Sequence, residues 1–350
     1  MSGTKIGRLA SAFFLILVGF RAVPQSAEPS VALIGRDAIV NNPDNRKTYV
    51  VDKSLGAVVI IEPSGSTKSI KIGKGPEAIA VNRRTGFAYV ANGGDNTVSV
   101  LDNTGTVVAT VPTAARPYAI AVDGLTNKVY VSNIFSSMLT VIDGTTNTAT
   151  NLKAGSFDSI IVDSDKKRLY LTHYETSTVT ILDTETDSLS KVAAGGMHLW
   201  GIAKSDRTLY VTHVQDSSVA AINLDTHTVT TIATGKMPCE LAVDEKPGRL
   251  FTANYADGTI SAIDTQNFSV VGTIKVGKHP QAIAIDPDRH KLYVANTQED
   301  TVSVIDTGSL RLEKTVKAGK SPYALAVDPT THKLYAANLG ETPFTQVAIN

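Results

Sequence analysis

The stretch Gly319-Lys320-Ser321-Pro322-Tyr323-Ala324-Leu325-Ala326-Val327-Asp328, followed by Lys333-Leu334-Tyr335-Ala336-Ala337-Asn338, decides how this chain is read. A near copy stands at Gly277-Lys278-His279-Pro280-Gln281-Ala282-Ile283-Ala284-Ile285-Asp286 with Lys291-Leu292-Tyr293-Val294-Ala295-Asn296. That copy runs on into Thr301-Val302-Ser303-Val304-Ile305-Asp306. Working outward, the aromatic of the second phrase recurs at Tyr49, Tyr89, Tyr130, Tyr170, Tyr210, Phe251, Tyr293 and Tyr335, in steps of 40, 41, 40, 40, 41, 42 and 42 residues. A fixed period of this size means one supersecondary unit used repeatedly, here eight times.

The second unit shows what the unit is. Its apolar or alternating runs are Ala78-Ile79-Ala80-Val81, Ala88-Tyr89-Val90-Ala91, Thr97-Val98-Ser99-Val100-Leu101 and Thr106-Val107-Val108-Ala109-Thr110-Val111, separated by clusters of Gly, Asn, Asp and Thr. Period-two alternation between turn residues reads as antiparallel strands, and no run has the length or period of a helix. Four strands per unit of about 40 residues specify an all-β, eight-bladed β-propeller of four-stranded antiparallel blades. In the first strand, large Ile79 and Val81 can point one way while small Ala78 and Ala80 receive the neighbouring blade. The eighth unit stops at Gln346-Val347-Ala348-Ile349-Asn350, its third strand, whereas Val31-Ala32-Leu33-Ile34-Gly35-Arg36 precedes the first unit where a fourth strand belongs. The N-terminal strand is therefore expected to complete the last blade and remove an open sheet edge.

The phrases Tyr-Val-Ala-Asn, Thr-Val-Ser-Val-Ile-Asp and Gly-Lys-x-Pro resemble the YVTN-type β-propeller repeat of YncE-like and surface-layer proteins, over about residues 31 to 350. The matching residues belong to strands and turns, so the resemblance implies a fold, with seven blades as the alternative to the eight units counted, and says little of an activity.

Residues 1–27 read as a secretory signal peptide: Lys5 and Arg8, then the apolar Leu9-Ala10-Ser11-Ala12-Phe13-Phe14-Leu15-Ile16-Leu17-Val18-Gly19-Phe20, then a segment containing Pro24. This apolar core is too short to span a bilayer. The expectation is a single propeller domain over 28–350, exported to the periplasm, the exterior or the cell surface, without a transmembrane span and monomeric. Removing Lys5, Arg8 and Arg21 leaves 30 basic against 33 acidic residues. Cys239 is the only cysteine, so no disulfide can form within one chain.

In a repeat protein the shared positions build the scaffold, so specific chemistry belongs where the repeat varies. The position just after the Pro, at the mouth of the innermost strand, reads Asp37, Glu77, Tyr118, Asp158, Trp200, Cys239, Gln281 and Tyr323. It is expected to ring the channel mouth. There Tyr118, Trp200 and Tyr323 would offer flat apolar contacts, and Asp37, Glu77 and Asp158 would orient a polar ligand or a cation.

A second position carries Lys74, Lys236, Lys278 and Lys320, with Arg36 and Arg116 close to the equivalent place. These form a basic arc that could attract a nucleic-acid backbone. The slightly acidic mature chain and the lack of aromatics between the lysines argue instead for solubility.

At the end of the second strand most units carry Asn (Asn92, Asn133, Asn254, Asn296, Asn338), whereas the fourth and fifth carry His173 and His213, with His198 close to Trp200. The repeat could bring these three imidazoles to one sector beside Asp158, where they would suit a divalent metal or proton transfer. Histidine can equally replace Asn by bonding the next turn.

The expected function is an exported binding or protein-interaction module, with a small molecule or protein on the channel-mouth face. The alternative is an enzyme. Lactonase-like and streptogramin lyase-like propellers place metal or acid/base groups at the channel mouth, which by resemblance would implicate His173, His198, His213, Asp158 and Glu77. Cofactor-bearing eight-bladed propellers such as the haem d1 domain supply a third comparison. No zinc-protease, nucleophile-elbow, paired-cysteine or dinucleotide motif is present.

Overall fold

The structure, a computed structural model, describes residues 37–340 and 342–349. Eight antiparallel sheets follow one another along the chain. In the second, Pro76–Val81, Ala88–Asn92, Thr97–Leu101 and Val107–Pro112 pair strictly in sequence order. Seven sheets have four strands, and the eighth has three among the described residues, Pro322–Val327, Leu334–Asn338 and Phe344–Val347. The expected closing strand at 31–36 and the signal at 1–27 lie outside the described residues. The described residues form one compact unit.

The ring closes through its innermost strands. Each blade's first strand lies against that of the next, and Pro322–Val327 of blade 8 lies against Ile39–Asn42 of blade 1. The chain is thus an eight-bladed propeller, not a seven-bladed one. No described residue is helical, and accordingly no helix is long and apolar enough to cross a membrane.

The core sits between blades. Ala78, Ala80, Tyr89, Ala91, Val98 and Val100 of blade 2 pack against Ile120, Val122, Val129, Val131 and Ile142 of blade 3. Small residues of one inner strand receive large ones of the next, as the alternation required. The register adds the reason for the recurrent aromatic: Tyr89, Tyr130, Tyr210, Phe251, Tyr293 and Tyr335 each stand opposite an alanine of the innermost strand. A large ring beside a methyl group fills the wedge where two sheets converge on the axis. Each buried Val, Leu or Ile contributes about 1.5–3 kcal/mol, and the repeat multiplies this around the circle.

On the face opposite the channel mouth, Asp123, Asp163 and Asp286 end the first strands and Asp328 directly follows that of blade 8. Each carboxylate accepts backbone N–H bonds from the turn that follows. These are Asx caps. Some also tie blades: the Ser164 hydroxyl donates to Asp123 (2.7 Å), Lys204 pairs with Asp163 (3.1 Å) and His332 Nδ1 meets Asp286 (2.7 Å).

Candidate functional site

The variable ring is built by a repeated β-bulge. In blade 2 Pro76 pairs with Asn92 and Ala78 with Ala91, leaving Glu77 as the extra residue. The same register shift sets Gln281 and Tyr323 apart, and in blades 3, 5 and 6 it falls at Tyr118, Trp200 and Cys239. A bulge re-aims the side chain of the extra residue, here toward the channel end of the blade. Hence the position is shared while its occupants vary.

The ring is assembled at one level, but it is packed and not an open rim. Trp200 is 4% exposed, Tyr323 3%, Cys239 1%, and Glu77 and Tyr118 8% each. Asp158 and Gln281 are half-buried and Asp37 is exposed. The three carboxylates do not form a common cation site: Glu77 holds Lys53 and Arg116, and Asp158 Oδ2 accepts the Tyr174 N–H at 2.7 Å. Gln281 accepts a bond from the Thr297 hydroxyl (3.3 Å).

Sequence reasoning missed a second ring, formed by the residue just after the Asp, Asn or His position that closes the second strand: Lys53, Gly93, Ile134, Tyr174, Val214, Tyr255, Thr297 and Leu339. It varies as freely as the first, and that variation was its signal. It interlocks with the residue before the Pro position. Arg116, His198, Met237, His279 and Ser321 all take positive φ there, between 50 and 60°. In each the carbonyl accepts the N–H of the residue after the second strand. Left-handed backbone costs about 1–3 kcal/mol when a side chain is present, and it persists where the surroundings over-determine it.

At two of these positions the side chain lies on the preceding blade. His198 stacks on Tyr174 of blade 4 with centroids 4.4 Å apart and planes 4° from parallel. His279 stacks on Tyr255 of blade 6 at 4.4 Å and 15°. Trp200 meets Tyr174 edge-on at 6.4 Å. Burial, then the nearby Asp158 and Cys239, raise the Tyr174 phenol above its ordinary value; burial and Cys239 do the same to Tyr255. Blades 4 to 7 therefore present an aromatic and imidazole arc with the Cys239 thiol between its tyrosines. Blades 8, 1, 2 and 3 present a different half, in which Lys53 lies over the Tyr323 ring (5.7 Å) and Arg116 over Phe135 (6.0 Å).

The three histidines suggested for a divalent metal are not brought together. No group of three His, Cys, Asp or Glu able to hold a metal ion occurs among the described residues. His173 Nδ1 accepts the Glu175 N–H (3.0 Å), His198 is in its stack, and His213 is fully buried with Nδ1 2.9 Å from the Ser218 hydroxyl. His213 thus replaces the Asn of other blades, whose amide donates to the third strand, as Asn254 does to Thr259 (3.0 Å) and Ser261 (2.9 Å). Both packings need a glycine after the fourth strand: a Cβ at Gly196 would strike the His213 ring, and one at Gly235 would strike Asn254.

A prediction follows for His213. Burial holds its imidazole below the ordinary histidine range, with Asp216 opposing more weakly. The unfolded chain takes up this proton at about pH 6.5 while the native state binds it less readily, so stability falls as pH drops through that value. His213→Asn is expected to keep stability within about 1 kcal/mol near pH 7.5 and to lose that acid-side slope. Urea midpoints at about pH 7.5 and 5.5 check it, and an unchanged slope would refute it.

The lysines of the arc are exposed but interleaved with acids. Asp95 and Asp257 accept the backbone N–H of Lys74 and Lys236, and Asp300 pairs with Lys320 at 2.9 Å. A cavity of about 470 Å³, lined by Thr234, Gly235, Asp257, Thr259 and Ser261 among others, opens on the side of blade 6 and holds no residue of the channel-mouth rings.

Against known proteins, a YncE-like β-propeller family model matches residues 239–341, inside blades 6 to 8. The chain is a β-propeller, and over those residues its repeat is similar to the YncE-like one. A second family model, lactonase with a 7-bladed β-propeller, matches residues 187–273. A search of curated protein sequences gives no significant match. Among solved structures the propeller superposes on the dihydro-heme d1 dehydrogenase NirN in complex with DHE (TM-score 0.73, 17% identity, 88% of this chain and 71% of that one). It also superposes on the computationally designed Ika8 protein (TM-score 0.69, 13% identity, 86% and 93%) and on hydrazine synthase of Kuenenia stuttgartiensis (TM-score 0.60, 16% identity, 94% and 100%). Identities this low establish a shared fold and nothing of shared chemistry.

Proposed function

We propose that the protein is an exported binding or interaction module whose ligand or partner docks on the channel-mouth face, against the aromatic arc of blades 4 to 7. The observation that supports this is the pair of cross-blade Tyr–His stacks, Tyr174–His198 and Tyr255–His279, flanking Trp200 and Cys239. Rigid aromatic surfaces offer large apolar contact at small entropic cost, and the imidazole and phenol edges supply hydrogen bonds. A flat, unsaturated ring system is the shape that such an arc accommodates. A neighbour of the same fold, NirN, was solved in complex with DHE, which supports including a tetrapyrrole among the probes.

Trp200 is the only tryptophan in the chain, so its fluorescence reports on the site alone. Haemin, flavin mononucleotide and naphthamide are the probes. At least one is expected to change Trp200 emission saturably and raise Tm, and Tyr174→Ala or Tyr255→Ala should weaken that probe about tenfold or more. If none of the three shifts either emission or Tm, this reading falls.

A further inference from the structure

The opposite half of the channel mouth holds a cluster that the aromatic arc does not use. Glu77, on its bulge in blade 2, extends Oε2 to Lys53 Nζ of blade 1 (2.8 Å) and Oε1 to Arg116 Nη2 of blade 3 (2.7 Å). We infer that Lys53 and Arg116 form an oxyanion subsite for a carboxylate or phosphate group of the ligand, and that Glu77 is the internal competitor for it. This deepens the reading of the channel mouth as a ligand site and rests on it.

Four features carry the inference. The carboxylate is buried, yet the two cationic side chains keep 27% and 34% of their surface, so an incoming anion can reach them. A lysine has three donors and an arginine five, and one of each goes to Glu77. Arg116 Nε is buried with no hydrogen-bond partner among the described residues. Both cations are oriented by rings, Lys53 by Tyr323 and Arg116 by Phe135, which fixes their direction without consuming donors.

The backbone is arranged to the same end. Arg116 takes φ 60° to lie over blade 2, and the residue beneath it is Gly93. A Cβ on Gly93 would meet both Arg116 Nε and Glu77 Cγ at 3.2 Å. The other charges nearby are already engaged or lie outward. Asp52 Oδ1 is used by the N–H groups of Ser54 and Leu55 and by the Ser54 hydroxyl, while Lys74 and Asp37 are exposed. Two cations set by aromatic faces around one carboxylate make a geometry that a second oxyanion fits by exchange, since charge-assisted bonds of the same kind form on both sides.

The test uses three probes of one shape, benzoate, phenyl phosphate and benzamide, measured by calorimetry and by Tm at low ionic strength. Glu77→Gln keeps the side-chain shape and removes the competitor. Benzoate, phenyl phosphate or both should bind it about tenfold or more tightly than the wild type, and benzamide should bind both proteins alike. A gain for benzoate alone assigns the subsite to carboxylates, and a gain for phenyl phosphate alone to phosphate esters. Adding Lys53→Met or Arg116→Gln should abolish the gain. If neither anion gains, or the gain survives loss of the cations, the inference is overturned. Should Glu77→Gln fail to fold, Lys53→Met in the wild type decides the matter, because it leaves the Glu77–Arg116 pair intact. It must lower affinity for the anions, and unchanged affinity overturns the proposal. Failure of the aromatic reading shows separately, as loss of benzamide binding while the anion gain persists.

Discussion

Gly201→Ala is expected to destabilise the propeller by about 3 kcal/mol, at the upper end of what overpacking costs. Gly201 belongs to the bulge beside Trp200, and a Cβ there would lie 2.0 Å from the backbone carbonyl oxygen of Cys239 in the next blade. A carbonyl cannot rotate away as a side chain can. Relief requires moving the blade 5 bulge, the blade 6 bulge or both. The same contact is bridged by the Thr212 hydroxyl, which accepts the Gly201 N–H (2.6 Å) and donates to the Cys239 carbonyl (3.1 Å). The clash therefore also breaks two buried hydrogen bonds and displaces Trp200 relative to Cys239. Urea unfolding followed by Trp200 fluorescence should show a lower midpoint and an altered native emission. Gly124→Ala is the control. There a Cβ meets only Asn82 Oδ1, at 3.8 Å, and the change should stay within about 0.5 kcal/mol. Equal effects of the two substitutions would show that the bulges are not in fixed contact.

Tyr89→Ala should cost about 3–5 kcal/mol, whereas Tyr89→Phe should cost nothing measurable or stabilise slightly. The Tyr89 ring is fully buried between blades 2 and 3, among Ala78, Val98, Val100, Ile120 and Val129. Truncation leaves a cavity the size of a benzene ring at a seam that two sheets cannot close without shearing. The hydroxyl is another matter. It is buried without a hydrogen-bond partner among the described residues, and burial raises the phenol above its ordinary value. Removing it relieves a desolvation cost and leaves the ring packing in place. Blade 6 carries this substitution already, as the fully buried Phe251. Thermal and urea unfolding of both variants checks the pair, and a large loss in Tyr89→Phe would mean that the hydroxyl has a partner.

The half-sites at the channel mouth differ in what each needs from the fold. The aromatic arc needs neighbouring blades in register, because each Tyr–His stack joins a residue after one blade's second strand to a residue before the next blade's first. The Lys53–Glu77–Arg116 bridge spans three consecutive blades, and Tyr323 beneath Lys53 adds blade 8. Blade 8 meets blade 1 only because the ring is complete. Closure and the composition of the subsite are thus one requirement.

The sequence by itself determined the repeat, the strand order within each blade, and the small-to-large packing of Ala78 and Ala80 against the next blade. These depend on period-two alternation and on neighbours a few residues away, which local chemistry dictates. It also singled out the variable position from Asp37 to Tyr323, because departure from a repeat is visible in one dimension. Only the tertiary structure decided that this position is a packed bulge, that Glu77 is claimed by two cations, that His173, His198 and His213 serve separate turns and stacks, and that Tyr174 and Tyr255 stack on the histidines of the next blade. Each of those facts depends on which side chain of one blade lies upon the next. That is set by left-handed backbone at residues such as Arg116, His198 and His279, a conformation that strand alternation does not encode.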